Sequence, residues 1–133
     1  MFSYDKALNF EGETSVYVQY TCARARSVLE KAAAEGYSWN DGLIEPCASE
    51  AELIKALASF PDTVKAAALN YEPSYIARFA VDTAQKFNKF YIDCKILQAS
   101  ESERCFRLRL TRAALTALSN ALTLLGIGVP EKM

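Results

Sequence analysis

The sequence predicts an all-α fold, a helical bundle of three long helices and two or three short ones with no sheet. Apolar residues recur with the spacing of a helix, about 3.6 residues, along most of the chain. Capping residues, glycines and prolines divide it into segments of helical length. No segment alternates polar and apolar residues, and β-branched residues are sparse. We expect residues 1–133 to form a single domain, because 51% of them are hydrophobic and the length is ordinary for one domain.

The first predicted elements are a short helix and a long one. Ser3 can cap a helix over residues 4–9. Thr14 or Ser15 then starts a long helix that runs to the residue before Gly36. The glycine is expected to end it, because glycine readily takes the left-handed backbone conformation found just after many helices.

A loop and a short helix come next. Residues 37–47 are rich in turn-forming residues and are predicted to be a loop. Ser49 and Glu52 have the spacing of a capping box, in which each side chain bonds the backbone N–H of the other residue. This pair predicts a helix that continues to about Ser59.

Two prolines mark the next helix starts, because proline suits the first turn of a helix. Pro61 is expected to begin a short helix that ends near Asn70. Pro73 is expected to begin a long helix that ends near Ile96.

The last predicted helix follows a polar loop over residues 98–102. It runs to about Leu125 and stops at Gly126. Residues 127–130 are predicted to be an extended tail.

The first long helix has a polar-aromatic face besides its apolar one. Tyr17, Tyr20 and Arg24 lie together at helical spacing, roughly 100–160° away from the apolar stripe. Two tyrosines and an arginine in this order can stack on unpaired bases and hydrogen-bond them. Packing of the rings beneath neighbouring helices is the competing interpretation, since most aromatic residues are packing residues. The apolar stripe is formed by Val18, Cys22, Ala25, Leu29 and Ala32.

The second long helix offers fewer candidates. Phe79, Phe87 and Cys94 form its apolar stripe, and Tyr91 falls close to that stripe. The ring of Tyr91 is expected to pack while its hydroxyl reaches the surface near the helix end. Three polar residues lie near Tyr91 and either contact RNA or are simply solvated. They are Asn88, Lys89 and Lys95.

Arginines cluster in the first turns of the last helix. Like charges on one turn repel each other unless an anion is near. A phosphate backbone could supply this negative charge. Alternatively, the arginines are solvated and paired with Glu101 and Glu103. The arginines are Arg104, Arg107, Arg109 and Arg112, of which Arg104, Arg107 and Arg112 are the candidate phosphate contacts.

Composition excludes several classes of function. The chain has no histidine, which removes the commonest general base, the usual nucleophile pairs and the most frequent metal ligand. No phosphate-binding glycine loop and no membrane-spanning apolar run is present. The four cysteines are widely spaced without a CxxC pair, so we expect thiols in a reducing cytosol and no metal site. The net charge of −1 argues against binding RNA through bulk charge.

Three stretches, in this order along the chain, resemble the anticodon-binding domain of arginyl-tRNA synthetases. The first matches the motif that opens that domain, the second a motif in its middle, and the third the end of those enzymes. They are YVQYTCAR over residues 17–24, FNKFYIDCKIL over residues 87–97 and ALTLLGIGVPEKM over residues 121–133.

The resemblance implies an all-α bundle that grips the anticodon stem-loop of the arginine tRNA. It places Tyr17, Tyr20, Arg24, Tyr91 and the terminal Met133 at or near the anticodon loop. Aromatic rings would pack against unstacked bases there. The middle anticodon base is cytosine for every arginine codon, and it is the natural base to read.

The resemblance also implies what this chain lacks. The parent enzymes bind ATP and arginine in a separate catalytic domain, whose HIGH-type and KMSKS-type motifs are missing here. We therefore expect a C-terminal fragment of a cytoplasmic arginine-tRNA ligase that uses no cofactor and catalyses nothing alone. Its partners would be arginine tRNA and the catalytic domain of the parent chain, with no membrane and no DNA.

Two alternatives stay open. The first is the related domain of another class I synthetase, such as the cysteine enzyme, although the Tyr17/Tyr20 pair and the chain end argue against it. The second is a helical protein-interaction or regulatory module, which agrees with the net charge of −1.

Overall fold

Five α-helices make up most of the computed structural model, which describes residues 14–37 and 44–129. That part of the chain contains no strand, so the predicted all-α fold with three long helices is confirmed. The predicted helix over residues 4–9 lies outside the described residues. The helices are α1 (Ser15–Ala34), α2 (Ala48–Ala58), α3 (Phe60–Asn70), α4 (Ser74–Asp93) and α5 (Glu101–Leu124).

Glycine ends α1 and α5, as predicted. Gly36 and Gly126 both have a φ of +75°, in the left-handed region that a side chain would make costly. The amide after each glycine donates to a carbonyl five residues back, at 3.0 Å for Tyr37 and 2.8 Å for Ile127. These bonds satisfy carbonyls that the helix ends would otherwise leave unpaired.

The start of α2 differs from the predicted capping box. The helix begins at Ala48, and the backbone N–H of Cys47 donates to Oε1 of Glu50 at 3.0 Å. The hydroxyl of Ser49, expected to cap the helix, donates instead to Oδ2 of Asp93 at 2.5 Å. The predicted capping box of Ser49 and Glu52 is wrong, because the long-range bond to α4 takes the serine side chain.

The end of α4 also differs from the prediction. The helix stops at Asp93 rather than near Ile96, because Cys94 takes an extended backbone with φ −119° and ψ 124°. α5 then begins at Glu101, slightly earlier than the predicted loop allows. The hydroxyl of Ser100 donates to Oε1 of Glu103 at 2.8 Å beside this helix start.

The three long helices enclose the core. α1 packs on α5 and α4, α2 packs mainly on α4 and also on α5, and α3 packs mainly on α4. The predicted stripes of α1 and α4 face inward, although Leu29 is only partly buried. The largest fully buried apolar side chains are Phe87, Phe90, Leu53, Leu108, Leu118 and Leu122. None of the helices in the described ranges is long and apolar enough to cross a bilayer.

A buried ion pair ties α2 to α5. The Glu50 side chain is 1% exposed, and its Oε2 accepts from Nε of Arg107 at 3.2 Å. Arg107 also donates to the carbonyl of Lys95 at 2.6 Å and to Glu103 at 3.1 Å. Burial acts to raise the pKa of Glu50, but hydrogen bonds from Cys47 and Arg107 outweigh it and hold that pKa below its usual range.

We predict that Arg107→Ala destabilises the fold by about 3 kcal/mol, because it leaves the buried Glu50 carboxylate without its cation. Urea unfolding of the two proteins measures the difference. Arg112→Ala is the matched control, since it removes an exposed arginine from the same helix and should change stability by less than about 0.5 kcal/mol. Equal midpoints for the two variants would contradict the role given to Arg107.

Candidate nucleic-acid interface

The amide of Asn88 is the centre of a polar network between α1 and α4. Asn88 is 9% exposed. Its Nδ2 donates to the hydroxyl of Tyr17 and to Oγ1 of Thr21, both at 2.9 Å. Its Oδ1 accepts from Nη1 of Arg24, also at 2.9 Å. Both ends of the amide are therefore bonded, which defines its orientation.

The guanidinium of Arg24 joins this network to two aromatic rings. Its Nη2 donates to the hydroxyl of Tyr20 at 3.2 Å. Its Cζ lies 4.4 Å from the ring centroid of Tyr91 and 5.2 Å from that of Tyr20. Both distances are within the range of cation–π attraction. A single positive charge is thus held between a ring of α1 and a ring of α4.

The three rings remain partly open to solvent. Tyr20 is 46% exposed, Tyr91 39% and Tyr17 37%. The neighbouring helices therefore cover Tyr17 and Tyr20 only in part, which leaves ring surface for a base, and the RNA contact of these two residues stays a prediction. We call the surface formed by Tyr17, Tyr20, Arg24, Asn88 and Tyr91 the tyrosine face.

All five residues of the tyrosine face were predicted from the sequence, whereas Thr21 was not. This residue is fully buried, and its hydroxyl donates to the backbone carbonyl of Tyr17 at 2.9 Å while accepting from Asn88. The sequence does contain a signal for this bond to Tyr17, because a threonine hydroxyl in a helix can donate to the carbonyl four residues before it. Its contact with Asn88 depends on how α1 and α4 pack.

The end of the described chain returns to α1. Nε2 of Gln19 donates to the carbonyl of Gly128 at 2.8 Å. Gln19 is the residue before Tyr20, so this bond brings the tail close to the helix that carries most of the tyrosine face. Met133 lies outside the described residues, and its place at the site stays a prediction.

The arginines of α5 are not joined to the tyrosine face by any contact within the described ranges. Arg107 is 12% exposed and bonded to Glu50, Glu103 and a backbone carbonyl, so its guanidinium is largely committed inside the chain. Cζ of Arg104 lies 3.8 Å from the ring centroid of Tyr37. Arg112 is exposed. Phosphate contact stays a prediction for all three arginines, and exposure favours Arg112.

A second group of polar side chains lies where α2 begins and α4 ends. The ligand atoms of Cys47, Glu50 and Cys94 are all within 4.8 Å of one another. The wide spacing of the cysteines in the sequence did not suggest this cluster. Thiolates and carboxylates are zinc ligands in proteins, so these three residues together have the chemistry of a partial metal site.

We predict that Asn88→Ala destabilises the protein by about 1–3 kcal/mol, because the buried hydroxyl of Thr21 loses the amide that donates to it and Tyr17 and Arg24 lose their anchor. Thermal or urea unfolding measures this cost. Asn120→Ala is the control, since Asn120 is an exposed asparagine on α5. Comparable stability of the two variants would show that the network adds nothing to the fold.

Comparisons with known proteins agree with this architecture. A family model described as the DALR anticodon binding domain matches residues 18–133. The arginine-tRNA ligase of Lactococcus lactis subsp. cremoris is 45% identical over 132 residues, which are 99% of this chain and 23% of that protein. The arginine-tRNA ligase of Halothermothrix orenii is 43% identical over 133 residues, 100% of this chain and 24% of that protein.

A solved structure has the same fold. The Thermus thermophilus arginyl-tRNA synthetase superposes with a TM-score of 0.83 at 36% identity, covering 99% of this chain and 23% of that one. The chain spans 23–24% of the length of these relatives. Since the family model covers all five helices from Val18 onward, the chain belongs to the DALR anticodon binding domain family.

Proposed function

We propose that this chain recognises the anticodon loop of an arginine tRNA, as the anticodon-binding part of an arginine-tRNA ligase. The tyrosine face carries the proposal, because it combines exposed rings with a fixed cation and a buried amide. The family assignment and the names of the relatives support the same conclusion.

The chemistry of the tyrosine face suits unpaired bases. A base that leaves its stack can lie against the exposed part of Tyr20 or Tyr91, and stacking of this kind is tolerant of base identity. Hydrogen bonds to the base edges then supply discrimination. Cytosine offers two acceptors, N3 and O2, and one amino donor, and Arg24 and the tyrosine hydroxyls can pair with these groups.

The small net charge of the chain indicates which interactions supply its affinity for RNA. With a net charge of −1, the affinity comes mainly from stacking and hydrogen bonds at the tyrosine face rather than from neutralised phosphates. Arg112 supplies an exposed positive charge on α5 for the RNA backbone. Most of the affinity for a whole tRNA would then depend on further contacts from the catalytic domain of the parent.

The proposal extends to the parent protein. That protein would attach arginine to its tRNA in the cytoplasm, using ATP and arginine bound in the separate catalytic domain. This chain, as its C-terminal fragment, would bind neither small molecule and would not aminoacylate alone. The share of the relatives that it covers supports this division of roles.

We predict that the chain binds a labelled arginine anticodon stem-loop in a fluorescence anisotropy titration, and that added salt weakens the binding. Replacing the middle cytosine by uracil should weaken it further, because uracil presents a carbonyl where cytosine presents an amino group. Undetectable binding at high protein concentration in low salt would overturn the proposal and favour a protein-interaction module. Equal affinity for both loops would show that the chain does not read the middle anticodon base.

We predict that Tyr20→Ala costs about 1–3 kcal/mol of RNA-binding free energy through lost stacking. Tyr20→Phe keeps the ring and removes the hydroxyl, with its bond to Arg24 and any bond to a base edge, so it should retain the part of the affinity that stacking supplies. Tyr71→Ala is the control, because Tyr71 is 93% exposed at the end of α3 and outside the tyrosine face. A folded Tyr20→Ala protein with unchanged affinity would assign Tyr20 to packing.

A further inference from the structure

Two cysteine sulfurs lie in contact where α2 begins and α4 ends. The Sγ atoms of Cys47 and Cys94 are 3.4 Å apart, although the residues are separated by 47 positions in the chain. Cys47 is exposed just before α2, and Cys94 is buried directly after α4. Cys47 is therefore the more accessible residue of the pair, and Cys94 is shielded but adjacent.

We propose that Cys47 and Cys94 form a reversible redox site that closes to a disulfide when the exposed thiol meets a peroxide. A disulfide requires the sulfurs to approach to about 2.05 Å, so they need to move together by about 1.4 Å. Rotation of the Cys47 side chain can supply much of this movement, and it would break the hydrogen bond of that side chain to Glu50 at the start of α2. The bond would join the start of α2 to the end of α4.

The surroundings favour a dithiol over a metal site. Glu50 is the third potential ligand, but Oε1 is bonded to the backbone N–H of Cys47 and Oε2 to the guanidinium of Arg107. A cation that recruited this carboxylate would have to displace a buried arginine. Without Glu50, two sulfurs alone are fewer ligands than the four of a structural zinc site. The sulfurs are thus placed to react with each other.

The reaction balances with hydrogen peroxide as the oxidant. The Cys47 thiolate attacks one peroxide oxygen and the O–O bond breaks, which gives a sulfenic acid at Cys47 and a hydroxide that takes up a proton. The Cys94 sulfur then attacks the Cys47 sulfur. The S–O bond breaks, and the departing hydroxide combines with the proton of the Cys94 thiol. Two thiols are oxidised, and one peroxide is reduced to two waters.

The environment of Cys94 sets the order of these steps. Burial, followed by the hydrogen bond and charge of Cys47, raises the pKa of the Cys94 thiol to about 12. Cys94 therefore stays protonated and unreactive while Cys47 is reduced. After oxidation, the hydrogen bond and charge of Cys47 no longer oppose ionisation of Cys94, whereas burial and Glu50 still oppose it and the guanidinium of Arg107 favours it. Cys47 is thus the attacking residue and Cys94 the resolving residue.

The test oxidises the purified 133-residue chain with a slight excess of hydrogen peroxide. We expect the intact mass to fall by about 2 Da, for the two hydrogens lost with one disulfide, and dithiothreitol to reverse the change. Peptide mapping without reductant should find Cys47 joined to Cys94. We also expect the melting temperature to rise on oxidation, because the bond closes the long loop of residues 47–94 in the unfolded chain.

Two variants make the test specific. Cys47→Ser alters an exposed residue, so it should fold normally and lose the mass decrease. Cys105→Ala keeps the pair and should retain the decrease. A mass decrease that persists in Cys47→Ser would overturn the proposal, as would stepwise oxygen addition to the wild-type chain without a crosslink. Stoichiometric binding of added Zn²⁺ that protects both thiols from peroxide would reassign the cluster as a metal site.

Discussion

The amide of Asn88 is the constraint on which the tyrosine face depends. A buried amide is costly unless its donors and acceptor are all bonded, and here every partner comes from α1. The spacing between α1 and α4 is therefore set by hydrogen bonds as well as by apolar packing. That spacing brings the Arg24 guanidinium over the ring of Tyr91, which no local property of either helix would ensure.

A second polar anchor lies at the end of α4, which is also the end that carries Asn88 and Tyr91. The Glu50–Arg107 pair links α2 to α5, and its arginine also holds the carbonyl of Lys95 just after α4. The bond from Ser49 to Asp93 connects α2 to the last residue of α4. The final turns of α4 are thus bonded from several sides. This rigidity would favour the proposed contact of Tyr91 with RNA, because it holds the ring in one position.

The features that could be predicted from the sequence are those that depend on residues close together in the chain, such as helix ends and helix faces. Gly36 and Gly126 end helices because of their own backbone freedom, and the spacing of Tyr17, Tyr20 and Arg24 places them on one face of any regular helix. Contacts between distant segments left no such local signal. The bond that takes Ser49 away from its cap, the burial of Arg107 and the meeting of Cys47 with Cys94 all depend on the packed structure.

The tyrosine face lies between the beginning of α1 and the end of α4. The helix dipole gives these two ends partial charges of opposite sign. No acidic side chain is present in the first turn of α1, and no basic one in the last turn of α4. Arg24 is the one cation among the five residues of the tyrosine face, where it lies against two rings and bonds an amide, and the net charge of the chain is −1. Such a surface exerts little long-range electrostatic attraction. Its selectivity is therefore expected in the dissociation rate of the correct partner rather than in the association rate of any partner.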